Sequence, residues 1–266
     1  MPDDHATDWF PQDDGPKDPR ASARQATRPP LPKRFYAEAA VAERDGVFVL
    51  GLDGRPARTP ARNLVAVPTR SLGEALAAEW QAQGEVIDPA TMPITRIVNS
   101  ALDGVAQNRA AVVDDLVRYA GSDLVCYRAG EPERLVAQQA AAWDPVLAFA
   151  RDSLGARLIL SQGVMHVRQP EHAIAAVRAA VEQVASPFAI AALHVMTTLT
   201  GSLLIPLALA SGQLSPDEAW DAAHVDERFQ ESLWGEDEEA MDRRRRRRED
   251  FLAAATVYRL AGQASP

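Results

Sequence analysis

Residues 188–209 read FAIAALHVMTTLTGSLLIPLAL, and the fold turns on what that run is. It carries no charged residue and is long enough to cross a bilayer, which takes about 20 residues. His194, Thr197, Thr198, Thr200, Gly201, Ser202 and Pro206 dilute it. No Lys or Arg anchors either end; the flanking charges are Glu182 and Asp217. A helix apolar all round also suits the centre of a helical bundle. The run is therefore read as a buried helix with an all-α domain wrapped around it, and with no stable membrane insertion.

Downstream lies LSPDEAWDAAHVDERFQESLWGEDEEA, residues 214–240. Ser215 is a candidate N-cap, Pro216 fits the first turn, and Glu218 completes a capping box. The spacing predicts one helix carrying Trp220, Val225, Phe229 and Leu233, ended at Gly235 by a positive φ. On pattern alone Trp234 reads as a core residue capping that helix. Glu236, Asp237, Glu238 and Glu239 then read as a solvated acidic start to the next, favoured by the helix dipole. The competing reading is that a large aromatic beside dense carboxylates is a surface in use. The last helix, predicted over 236–260, holds six consecutive arginines, Arg243 to Arg248. At about 100° each they point in every direction, so some must face the protein body and pair with Glu227, Glu231, Glu239, Glu249 or Asp250.

Upstream, residues 109–120, 135–154 and 171–185 have helical periodicity. Residues 157–167 suggest a small hairpin around Gly163, and Ser186-Pro187 starts the helix of the apolar run. Ahead of these, Ser71 with Glu74 suggests a capping box, Leu72, Leu76 and Trp80 share one face, and Gly84 suggests a stop. Residues 95–102 read as helical again. Residues 33–68 read as a meander of about four short strands: 35–43, 47–50, 55–59 and 64–67. Asp45-Gly46 and Asp53-Gly54 supply hairpin turns. The expected fold class is α+β. A small N-terminal domain of short antiparallel strands plus helix spans 33–103, and an all-α domain spans 104–266. Residues 1–32 read as a disordered tail, with Trp9-Phe10 as its one apolar patch. That stretch lacks a signal-peptide core, and its aspartates argue against a mitochondrial presequence.

Composition excludes some functions. The net charge of −9 argues against general affinity for nucleic acid or anionic membranes. Cys126 is the one cysteine, so no internal disulfide forms, and a buried structural thiol is expected. His5, His166, His172, His194 and His224 have no metal-ligand spacing, and no phosphate-cradling glycine motif or nucleophile elbow occurs. No catalytic residue, metal or cofactor is expected. Two rivals remain: a metal-dependent enzyme using Glu236 to Glu239, and a nucleic-acid or membrane adaptor using Arg243 to Arg248.

Three segments together resemble the assembly chaperones that bind the alpha subunit of the F-type ATP synthase catalytic head. They are AAEWQAQ (77–83) with MPITRIVNSALD (92–103), YAGSDLVCYRA (119–129) with WDPVL (143–147), and ESLWGEDEEA (231–240). The resemblance covers residues 35–260. It implies a small N-terminal α+β domain, a helical C-terminal domain and a binding function without catalysis: holding the unassembled alpha subunit until the beta subunit replaces it. It implies that Trp80 and Glu238 matter for activity, although Trp80 also reads as a core residue of the main helix. The partner-binding residues expected on this basis are Glu238, Trp234, Glu236, Asp237 and Trp80. The expected protein is a monomer of a bacterial cytoplasm.

Overall fold

The computed structural model describes residues 30–163, 165–235 and 238–262. The expected tail, up to residue 29, lies outside the described residues, as do Glu236 and Asp237. The fold is α+β, in two compact units divided after Gly104.

In the first unit, β1 (Ala39–Arg44) and β2 (Val47–Leu52) pair antiparallel from Ala39↔Leu52 to Arg44↔Val47. Asp45 and Gly46 join them, both at positive φ, as a tight two-residue hairpin requires. Asp53 and Gly54 repeat that geometry before β3 (Arg55–Pro56). The predicted meander needs correction at its last strand, since β4 (Ala66–Val67) pairs with β2 rather than β3. β3 is only two residues long, so the chain loops out through an Arg58↔Leu64 bridge and returns to the free part of the same β2 edge. β1 also begins later than predicted: the amides of Ala37 and Glu38 donate to the Asp53 carboxylate rather than to a strand.

Helix α1 (Arg70–Gln81) lies on β1 and β2, with Leu72 and Leu76 fully buried. Its N-cap is Thr69, whose hydroxyl accepts from the Leu72 amide; Ser71, the predicted cap, is the second residue of the helix itself. The helix ends at Ala82, in right-handed conformation, before the predicted Gly84 stop. Helix α2 (Pro93–Ser100) follows and runs into a π-helical turn at Ala101–Val105. Within that turn the Asp103 carboxylate accepts from Thr59, Asn63 and the Ala61 amide, closing the loop that follows β3.

The second unit is helical: α3 (Ala106–Ala120), α4 (Glu133–Ser153), α5 (Glu171–Glu182), α6 (Pro187–Thr200), α7 (Leu204–Ala210), α8 (Pro216–Ala223), α9 (Val225–Trp234) and α10 (Glu238–Gly262). Among the described residues, the predicted hairpin around Gly163 does not form. Instead β5 (Tyr127–Arg128) and β6 (Ser161–Gln162) pair in parallel. A pairing between segments that far apart has no local turn signal to betray it.

The apolar run forms two helices rather than one. Helix α6 is the buried centre, with Phe188 through His194, Met196, Thr197 and Thr200 all inside. It starts at Ser186, whose hydroxyl accepts from the Ala189 amide, and stops at Gly201 in left-handed conformation. Asp123, fully buried, then caps α7 from a distance: its carboxylate accepts from Ser202 Oγ at 2.6 Å and from the Leu203 and Leu204 amides at 2.8 and 3.0 Å. At 14 and 7 residues, α6 and α7 are each too short for a bilayer, and among the described residues no helix is long and apolar enough to cross a membrane.

Packing around α6 comes chiefly from α10, and from α3 and α7; α4 packs on α7, α8 and α9. Trp143 of α4 is fully buried, and its indole N–H donates to the Ala222 carbonyl at 2.7 Å. Cys126 is also buried. Burial, then the Asp123 charge, push its thiol up to about 12, leaving it inert as expected of a structural cysteine.

Candidate functional site

The Ser215 capping box forms as the spacing predicts, with Ser215 accepting from the Glu218 amide and Glu218 accepting from the Ser215 amide. The single helix predicted after it is broken at His224, which has non-helical φ −119° and ψ 27°. The His224 imidazole turns back to the Trp220 carbonyl at 2.8 Å and stacks on the Trp220 ring at 3.8 Å; burial lowers its pKa. Val225 and Phe229 remain buried, but Leu233 emerges 57% exposed and Trp234 86% exposed. The core reading of Trp234 is thus corrected: the indole stands in water at the end of α9. Gly235 follows at φ 86°, the positive φ that the sequence implied.

Across the turn, α10 begins at Glu238, and Met241 on its first turns is also exposed. Leu233, Trp234 and Met241 are therefore exposed apolar side chains at the two helix ends flanking one turn. Leu233 and Met241 had no sequence signal as surface residues: Leu233 lies on the period of Val225 and Phe229, yet in the last turn of α9 it is exposed while those two are buried.

The arginine run divides between anchoring and exposure. Arg244 makes a forked pair with Glu231 of α9, Arg247 donates to the Leu199 carbonyl at 2.9 Å, and Arg248 reaches Asp217 of α8 at 2.5 Å. Of the acidic partners expected, Glu231 is engaged, and Asp217 is an addition. Arg245 pairs locally with Asp242.

Trp80, the remaining expected site residue, belongs to the first unit. It is half-buried on α1. Its ring lies 5.6 Å from that of Tyr36, and the Tyr36 hydroxyl donates to its carbonyl at 2.6 Å. Its indole N–H is buried with no acceptor among the described residues. Beside it, the Glu79 carboxylate accepts from the Ile94 and Thr95 amides and the Thr95 hydroxyl, bracing the start of α2. Burial raises the Glu79 pKa in spite of those bonds. A shallow cleft of about 390 Å³ opens next to Glu79 and Gln83. Asp88 and Thr91 also line it, and both are engaged locally: the Asp88 carboxylate accepts from the Ala90 amide, and the Thr91 hydroxyl donates to the Asp88 carbonyl. Among the described residues, no group of three or more His, Cys, Asp or Glu could hold a metal ion.

Comparison with known proteins gives this geometry a family. The model of the family described as ATP12 chaperone protein matches residues 33–151. The crystal structure of the Atu1473 protein from Agrobacterium tumefaciens superposes with a TM-score of 0.84 at 49% identity, covering 92% of both chains. That of Atp12 from Paracoccus denitrificans superposes with a TM-score of 0.80 at 39% identity, covering 86% of this chain and 98% of that one. The mitochondrial protein atp12 of Schizosaccharomyces pombe is 22% identical over 245 residues, 86% of this chain and 84% of that one. With whole-chain agreement at those identities, the chain belongs to the ATP12 family of ATP synthase assembly chaperones.

Proposed function

We propose that this chaperone holds the unassembled alpha subunit of the F-type ATP synthase catalytic head until the beta subunit takes its place, and that it does so without hydrolysing ATP. The observation that carries the reading is the Trp234 indole, 86% exposed beside Leu233 and Met241. Trp is among the residue types that most often carry binding energy, once buried in a partner's pocket. A subunit built for an obligate ring exposes a large apolar interface, which aggregates while unpaired. A holder covers such a surface and is then displaced.

Glu236, Asp237 and Glu238 follow Trp234 in the chain, after Gly235. Carboxylates at that place give orientation and association rate more than affinity. Trp80 supports the role from the first unit, where it is half-buried. The sequence has no nucleotide motif, so release by competition from the beta subunit suffices. A monomer in the cytoplasm fits this role, because its own interface stays free.

The test is co-purification of the tagged chain from its native cells, beside Trp234→Ala and Glu238→Ala. The expected result is capture of the alpha subunit without beta, weakened about tenfold or more by either substitution. Trp234→Ala leaves stability within about 0.5 kcal/mol of the parent, because the indole is mostly in water. Absence of alpha from the captured proteins, even in cells blocked in beta synthesis, overturns the proposal.

A further inference from the structure

We propose that the Glu231–Arg244 ion pair is a positioning clamp, which fixes the end of α9 against α10 and so presents the Trp234 indole to the partner in one place. The inference rests on the reading of Trp234 as a partner contact.

Trp234 follows Glu231 at i+3, and the Gly235 amide donates to the Glu231 carbonyl at 2.9 Å, so Glu231 sits in the turn of helix that ends at the indole. Beyond it, Gly235 at φ 86° breaks the helical backbone of α9. The two helices also take their main packing from different neighbours, α9 from α4 and α10 from α6. A polar bridge spans them. Arg244 Nη1 donates to Glu231 Oε2 at 2.5 Å, and Nη2 donates to Oε1. Two parallel bonds from a planar guanidinium fix direction as well as distance. Both side chains are largely shielded, at 27% and 21% exposure, so solvent screens this pair less than the outer ones. Arg247 and Arg248 fasten α10 farther from the turn, to the Leu199 carbonyl and to Asp217. Arg244 is thus the anchor nearest Trp234. An indole held in place loses less freedom when a partner closes on it.

The experiment uses the full chain and the alpha subunit captured from native cells. It compares Arg244→Gln, Arg244→Lys and the charge swap Glu231→Arg with Arg244→Glu, beside Trp234→Ala. Binding, melting temperature and hydrogen exchange at the Leu233, Trp234 and Gly235 amides are measured. Arg244→Gln is expected to weaken binding about tenfold and to speed exchange at those amides, with little change in melting temperature. The charge swap restores most of the binding, and Lys, a point charge without the fork, restores part. Unchanged binding in Arg244→Gln alongside a loss in Trp234→Ala overturns the clamp alone. So does a binding loss that follows melting temperature and is not restored by the swap. If Trp234→Ala binds as the parent does, the partner contact fails and the clamp falls with it.

Discussion

Replacing Asp123 by Asn tests how the second unit is held together at its centre. The carboxyl is fully buried, and burial pushes its pKa up to about 6, against an ordinary value of 3.8, although Ser202 and the Leu204, Leu203 and Val125 amides all favour the ion. A folded pKa above the unfolded one means that the folded chain binds the proton more tightly. The stability that follows is fully present below about pH 4 and is lost as pH rises through 6. A shift of about 2 units corresponds to about 3 kcal/mol across that window. Asn carries no proton to lose, and its amide turns donors toward groups that are themselves donors. The variant is therefore less stable than the parent at every pH, by about 2–4 kcal/mol at neutral pH. The gap widens by about a further 2 kcal/mol between pH 6 and pH 4. Urea denaturation of both proteins at pH 4, 5, 6 and 7, followed through the transition that exposes Trp143, reads the gap directly, because all other titrations cancel in the difference. A gap that stays constant over this range, or that widens as pH rises, refutes the account.

Three further outcomes follow from other parts of the fold. Gly73 of α1 rests on the sheet so closely that an added Cβ would lie 2.9 Å from Val41 Cγ1, so Gly73→Ala destabilises the first unit by about 1–3 kcal/mol in chemical denaturation. Trp143→Ala removes a fully buried indole and strands the Ala222 carbonyl, lowering the stability of the second unit by about 4 kcal/mol or more. His194 is buried beside Asp115 and Arg118, and burial, with the Arg118 charge, lowers its pKa to about 4. Its ring resonances therefore move only near pH 4 in NMR titration. Because the unfolded chain takes up that proton near pH 6.5, this site's stability is present above 6.5 and is lost as pH falls toward 4.

Where a feature depends on neighbours in the chain, the sequence was a sound guide. The two Asp-Gly turns, the Ser186 cap, the Ser215 capping box and the positive φ at Gly235 all rest on a few adjacent residues. The uncharged run was legible as a buried helix for the same reason, but its division at Gly201 was not. What stabilises the start of α7 is Asp123, remote in sequence, and no local pattern announces it. Caps were misread where two candidates compete: Thr69 and Ser71 both suit an N-cap, and only the packing of Leu72 and Leu76 on the sheet selects Thr69. Trp234 was misplaced because pattern alone does not show where the packing of a helix ends: Val225 and Phe229 of α9 are buried, while the indole at its last residue is exposed. The Glu231–Arg244 pair was one of several combinations that the charges allow, and tertiary packing chose among them.

The order in which the chain is made gives the α6–α10 packing another meaning. Synthesis runs from the N-terminus, so Asp123 has already emerged when Ser202 appears, and the start of α7 can be capped at once. Helix α6 is less fortunate, because α10, its principal cover, is the last of the described helices in chain order. Until residues 238–262 leave the ribosome, this buried, uncharged helix lacks its lid, and a chain cut short before Glu238 never gains one. A chaperone thus passes through a stage in its own synthesis with an apolar surface of its own uncovered.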